Sequence, residues 1–254
     1  KQLLRSAAVC HDIGSPPFSH VAEIFMYDIL HRTHEQETEI LLAPGSELYK
    51  ILVANDINPL DVIDIINGEG KLGPLVAGSI DLDNIDNSIR LLHSIGYPAD
   101  QYDPEKIIQA YCWPEGSEQV YLDTTYLADL IGWIETRREL YRILRTETHL
   151  SSTSMLQRAM EFAFEGRHIN EDFFQLNESE ALYALANLSG SKAAKLINNA
   201  LTWNHYHLFY EQDNTEEDLR LSNFYDNWRA RKEFTDDLAD NIRMPREDVV
   251  IYVG

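Results

Sequence analysis

The sequence predicts an all-α fold, a helical bundle that runs into the start of a small α+β segment. Three observations predict it. Apolar residues recur at i, i+3, i+4 spacing through most of the chain. Residues that start and stop helices bracket those runs. Extended patterns are confined to two short stretches, Glu118–Thr125 and Asp248–Val253.

The elements follow in order. Leu3, Leu4, Ala7 and Ala8 give a first, small-residue helix one apolar face, and His11 continues that face at the helix end. Gly14 and Pro16-Pro17 stop it. The spacing predicts a second helix over Phe18–His31, after Pro17. A third, Thr33–Leu42, opens on T-H-E-Q, a capping-box pattern. Helices over Glu47–Ala54, Pro59–Asn67 and Pro74–Ile95 come next, with Gly96 as C-cap. Glu118–Thr125 alternates weakly and reads as a short hairpin or extended loop. Tyr126–Thr146, Ser151–Phe164, Ser179–Leu188 and Lys192–Phe209 are strong helical patterns. The acidic stretch Glu211–Asp218 reads as a solvated loop. Asn223–Arg243 is a charged helix with Phe224, Tyr225 and Trp228 on one side. Pro245 breaks it, and Asp248–Val253 reads as a strand. The expected division is a helical domain over 1–243 and the beginning of a β-containing segment over 244–254. Because the chain begins at Lys1 and stops within V-V-I-Y-V-G, it reads as a fragment.

Composition narrows the function. The 254 residues are 44% hydrophobic, enough for a sizeable core. Lys and Arg number 21 against 42 Asp and Glu, a formal net charge of -21. Such a surface repels nucleic acid and anionic membrane, so neither is an expected partner. A small anionic substrate remains compatible where a metal and a few arginines reverse the sign inside a pocket. Two cysteines, Cys10 and Cys112, fit a reducing compartment and give no zinc-finger spacing. With no apolar run long enough to span a bilayer, the expected location is the cytoplasm.

The chemistry concentrates in A-A-V-C-H-D-I-G-S-P-P-F-S-H, Ala7–His20. An inward-pointing imidazole at His11 needs a metal, a hydrogen bond or a proton partner. Asp12 can join it on one ion if the ion lies over the helix edge. The plainer alternative is a helix-end histidine beside a capping aspartate. His20 and Glu23 lie at i, i+3, so the carboxylate can fix the tautomer of the imidazole. A surface ion pair is the alternative. His34 sits in the first turn of its helix, where a helix N-terminus attracts anions. Arg137, Arg138, Arg142 and Arg145 make one helix locally basic; a solvated face paired to Glu135 and Glu139 is the alternative for Arg137.

H-D followed by a Gly turn and P-F-S-H resembles the HD-domain metal-dependent phosphohydrolases, in the branch of the dNTP triphosphohydrolases and the sterile-alpha-motif-and-HD dNTPase. S-I-D-L-D-N-I-D-N-S-I-R (Ser79–Arg90), T-H-E-Q (Thr33–Gln36), E-T-R-R-E-L-Y-R (Glu135–Arg142) and W-N-H-Y-H-L-F-Y-E (Trp203–Glu211) extend the resemblance over most of the chain. The resemblance implies an HD-domain helical bundle. It implies His11, Asp12 and Asp83 as ligands of a divalent ion, whose mixed N/O set suits Mn, Fe, Mg, Co, Ni or Zn. Asp86, at i+3 from Asp83, would brace the site. His20 would be catalytic with Glu23 as its acidic partner, with His34 beside them in the chemistry. Arg90 and Arg137 would hold phosphate charge.

The chain departs from the pattern as well. The family's first metal histidine lies upstream of H-D, with no room for it before His11. Ser15 stands where the closest dNTPases carry another histidine. Asn84, Asn87 and Leu91 replace a lysine, a tyrosine and an aspartate, and Arg145 replaces a base-stacking tyrosine. The expected function is therefore a metal-dependent phosphohydrolase acting on a phosphoester or nucleotide, dNTP triphosphohydrolase-like. The alternative is a catalytically degenerate HD protein serving as a nucleotide-binding regulatory or scaffolding module. Expected partners are a small phosphorylated substrate, a nucleotide among the candidates, and further copies of the chain.

Overall fold

The structure, a computed structural model, describes residues 1–98, 102–117, 119–211, 224 and 227–253. Among these the helices are α1 (Gln2–Cys10), α2 (His20–Leu30), α3 (His34–Leu41), α4 (Glu47–Ala54), α5 (Pro59–Ile66), α6 (Leu82–Ser94), α7 (Pro104–Ala110), α8 (Leu127–Leu144), α9 (Glu147–Glu165), α10 (Glu178–Ala186), α11 (Lys192–Leu201) and α12 (Trp228–Ile242). The only sheet among the described residues is the antiparallel pair β1 (Tyr111–Cys112) and β2 (Tyr121–Leu122), in register Tyr111 with Leu122. The fold is thus all-α with one small two-stranded appendage.

Local chemistry explains the helix starts. Ser46, Asn58, Asp81, Asp103, Asn177, Ser191 and Asn227 each turn a side-chain oxygen onto a backbone N–H of the first turn. Asn177 and Glu180 complete a reciprocal capping box.

The chain forms two compact units, each built from two segments. The first comprises 1–14 and 34–144. In it α1 packs on α5 through Ala7, Cys10, Val62, Ile65 and Ile66, joined by Leu42, Leu52 and Val76. A second cluster, Ile85, Tyr102, Ile107, Leu130 and Trp133, ties α6 and α7 to α8. Burial of each large side chain contributes about 1.5–3 kcal/mol.

The second unit comprises 15–33 and 145–254. Its core lies along α9, where Met155, Ala159, Met160 and Ala163 meet Ala193, Leu196 and Ile197 of α11. Alanines at this seam let the two backbones approach closely. Phe25, Phe164 and Trp228 stack from α2, α9 and α12. A buried ionic network crosses the unit: Arg158 pairs with Glu161 at 2.9 Å and with Asp236, and Arg231 pairs with Glu161 at 3.1 Å.

Several boundaries differ from the sequence expectation. The helix expected over Pro74–Ile95 starts only at Leu82: Gly73–Leu75 is a single 3₁₀ turn, and Asp81 caps the helix proper. The helix expected over Lys192–Phe209 ends at Leu201, since Trp203 takes a left-handed φ of 59°. Residues 204–210, read as a late helix, instead run beside α9, where the Tyr206 N–H donates to Ser151 Oγ and the Leu208 N–H to Glu147 Oε1. The expected strand over Asp248–Val253 has no ladder partner among the described residues. Asp248 closes a 3₁₀ turn and is held by Lys195 of α11 at 2.6 Å. Residues 212–218 of the acidic stretch, together with Glu118, Asn223 and Tyr225, lie outside the described residues.

Candidate metal and phosphate site

His11 caps the C-terminus of α1 with helical backbone angles. Its Nδ1 lies 2.9 Å from the Ala8 carbonyl, one helical turn back. That contact makes Nδ1 a donor, the way a carbonyl orients a metal-binding imidazole, and turns Nε2 toward Asp12. Nε2 in turn lies 3.2 Å from Asp12 Oδ2. The Asp12 hydrogen bond, against burial and with help from the Ala8 carbonyl and the charges of Asp12 and Asp83, raises the His11 pKa to about 9.

Asp83 stands in the first turn of α6. Burial raises its pKa, the nearby His11 opposes that shift, and Asp12 and Asp81 reinforce it. Three neighbours hold this turn in place. Asp81 accepts the Asn84 N–H at 2.6 Å and the Asn84 side-chain amide at 2.7 Å. The Tyr111 hydroxyl donates to the Ile80 carbonyl, and the Tyr102 hydroxyl to the Ile85 carbonyl at 2.6 Å.

Two carboxylates and one imidazole thus act on one another: the Asp12 hydrogen bond is the main cause of the upward shift at His11, and burial is the main cause at Asp83. This donor set fits a divalent cation. Among the described residues no three such side chains are gathered as ready ligands, for Asp12 is turned onto Nε2, the atom a metal would take.

The α1–α3 junction explains the glycine of the H-D-I-G turn. The Gly14 N–H donates to Thr38 Oγ1 at 3.0 Å. A Cβ at Gly14 would lie 2.2 Å from the His34 carbonyl oxygen and 2.5 Å from the Thr38 nitrogen, so no side chain fits. The turn after His11-Asp12 is therefore seated on the first turn of α3, which His34 opens. The His34 side chain is half-buried and its Nε2 lies 3.3 Å from Glu35 Oε1.

The remaining residues of the first unit are more exposed. Asp86, expected to brace the site, pairs with Arg90 at 2.6 Å on an exposed face of α6, the ordinary i, i+4 contact. Arg137 is not paired to Glu135 or Glu139 among the described contacts. Its guanidinium lies 5.4 Å from the Trp133 ring centroid and 5.6 Å from that of Tyr141, and Glu139 pairs with Arg142 instead.

In the second unit, His20 Nδ1 lies 2.8 Å from Glu23 Oε2, the expected i, i+3 pair. The carboxylate fixes Nδ1 as donor on a side chain 88% exposed. Phe18 and Ser19 just before it take φ of 68° and 46°. Left-handed backbone at a non-glycine residue costs about 1–3 kcal/mol and concentrates at functional sites. Sequence reasoning missed both this strained entry and the Gly14–Thr38 contact.

No protein-family model matches the chain. Uncharacterized protein YwfO of Bacillus subtilis is 24% identical over 208 residues, 72% of this chain and 47% of that protein. An uncharacterized protein of Methanocaldococcus jannaschii is 28% identical over 109 residues, 43% of this chain and 22% of its own length. The crystal structure of a phosphohydrolase from Bacteroides thetaiotaomicron superposes with a TM-score of 0.65 at 19% identity, covering 97% of this chain and 65% of that one. The chain spans less than half the length of these curated relatives. Over nearly its whole length it shares the fold of that phosphohydrolase structure.

Proposed function

We propose that the chain is the core of a metal-dependent phosphohydrolase of the HD type, cleaving a small phosphoester or nucleotide. One observation carries this reading. His11 is oriented by the Ala8 carbonyl so that Nε2 faces Asp12, and Asp83 acts electrostatically on the same imidazole. His11, Asp12 and Asp83 would hold a divalent ion. When bound, that ion supplies Lewis-acid charge for a phosphoryl oxygen and for activating water. His20, its Nδ1 held by Glu23, is the candidate proton donor to the leaving oxygen. His34, Arg90 and Arg137 supply positive charge for phosphate oxygens. The phosphohydrolase fold supports the reading by analogy.

The substrate we infer is not one of the common dNTPs. The Asn84 amide is neutral and gives one N–H to Asp81, so it brings no positive charge to a triphosphate. Asn87 and Leu91 carry no charge. The test is metal analysis of the full-length protein, then a phosphate-release screen over nucleotides and phosphoesters. Some phosphoester should be hydrolysed faster than any common dNTP. Rapid tripolyphosphate release from dGTP would overturn the substrate inference.

The Asn84–Asp81 pairing, at a position where the resembled dNTPases carry a lysine, favours a second reading, a non-catalytic nucleotide-binding or scaffolding module. Bound metal with no phosphate release from any compound screened would select it.

A further inference from the structure

We propose that Thr38 is a positioning residue for the His11–Asp12 metal site, acting through the backbone of Gly14. The proposal rests on the metal-site reading above.

The geometry is specific. Thr38 lies on α3, one turn after His34, and is 1% exposed. At positions i and i+4 the two residues share one helix face. Gly14 seats on that face so closely that a Cβ would meet backbone at 2.2 Å and 2.5 Å. Its N–H donates to Thr38 Oγ1 at 3.0 Å. This N–H lies just past the C-terminus of α1, beyond the reach of the helix's own ladder. A buried backbone donor must find a partner, and among the described contacts the threonine hydroxyl is that partner. Without it, the turn carrying His11 and Asp12 would shift to let water reach Gly14.

Gly14 and Thr38 are 24 residues apart, and the contact joins the segment bearing two candidate ligands to the helix that His34 opens. Apolar packing of α1 on α5 holds the helix body through Ala7 and Cys10, whereas the turn beyond Cys10 has this polar latch. Thr38 touches no phosphate and no ion in this account. Its role is to hold the backbone three residues after His11 in one place.

The test measures Mn²⁺ binding to the full-length protein by isothermal titration calorimetry, with melting in chelator recorded beside it. Thr38→Val keeps the shape and removes the acceptor; Thr38→Ser keeps the acceptor. Thr38→Val should weaken Mn²⁺ binding about 10-fold or more, the usual effect of losing a group that orients a ligand. Thr38→Ser should bind Mn²⁺ as the wild type does. If Thr38→Val does not fold, Thr38→Ala removes the hydroxyl without adding an apolar branch and is read the same way. Valine or alanine variants that bind Mn²⁺ like the wild type would overturn the proposal. So would a serine variant as weak as valine, which would assign the effect to packing. A wild-type protein that binds no Mn²⁺ would instead overturn the metal-site reading on which the proposal stands.

Discussion

Asp81 and Asp83 lie two residues apart in one acidic run, and the structure gives them different work. Asp81 is 6% exposed and accepts both the Asn84 N–H at 2.6 Å and the Asn84 amide at 2.7 Å. It is a helix cap rather than a ligand. Asp81→Ala removes both acceptors. Loss of an N-cap costs about 1 kcal/mol, and the second hydrogen bond adds roughly 0.5–1.5 kcal/mol. A sum near 2 kcal/mol corresponds to a fall in Tm of about 4–8 °C for a chain of this size. Asp81→Ser restores an acceptor for the backbone N–H and should recover about half of that loss. Thermal melts in chelator read the stability, and a Mn²⁺ titration reads the site. The serine variant should bind Mn²⁺ nearly as the wild type does, because Asp83 is untouched. If it abolished Mn²⁺ binding while melting normally, Asp81 would be a ligand and the capping argument would be refuted.

The His20→Ala variant should lower turnover by about 10²-fold or more while leaving metal content intact, and Glu23→Gln should have a smaller effect; equal loss of metal in the His20 variant would show a ligand mistaken for an acid. Asp236 gives a pH prediction. Burial pushes its carboxyl up, but hydrogen bonds from Lys232 and Arg158 outweigh that and hold it below the usual carboxylate value. Its stabilisation is therefore complete above the unfolded value of about 4 and is lost as pH falls through the lower folded value. Asp236→Asn should cost about 3–5 kcal/mol at neutral pH, because it strips a partner from buried Arg158, and should flatten the acid limb of a pH-dependent urea titration. An unchanged acid limb would refute the assignment.

Much of the fold was legible because local chemistry decided it. Glu47–Ala54 was bounded by Ser46 and a polar exit, and Gly96 does take φ of 74° after α6. The errors came where short-range pattern and tertiary packing diverge. Val76 and Ile80 continued the helical spacing of α6 backwards, yet they pack into different clusters, and Asp81 starts the helix between them and Asp83. Aromatic residues after Trp203 kept a helical rhythm although the left-handed Trp203 had ended α11. The helix α7 was missed despite the Asp103-Pro104 start, because seven residues are too few for periodicity to register. Among the candidate residues, His20 with Glu23 was readable at i, i+3. Asp86 with Arg90 was equally local, at i, i+4 on an exposed face of α6. The Gly14–Thr38 contact left no local trace, since only the fold brings residues 24 apart into register.

The central claim is that His11, Asp12 and Asp83 hold a divalent ion, and metal analysis of the purified full-length protein and its variants tests it most directly. Wild type and His20→Ala should retain a divalent ion after gel filtration, and His11→Ala and Asp83→Ala should lose it while remaining folded. A wild type free of metal that binds none on Mn²⁺ titration, or an ion retained equally in the His11 and Asp83 variants, would contradict the account.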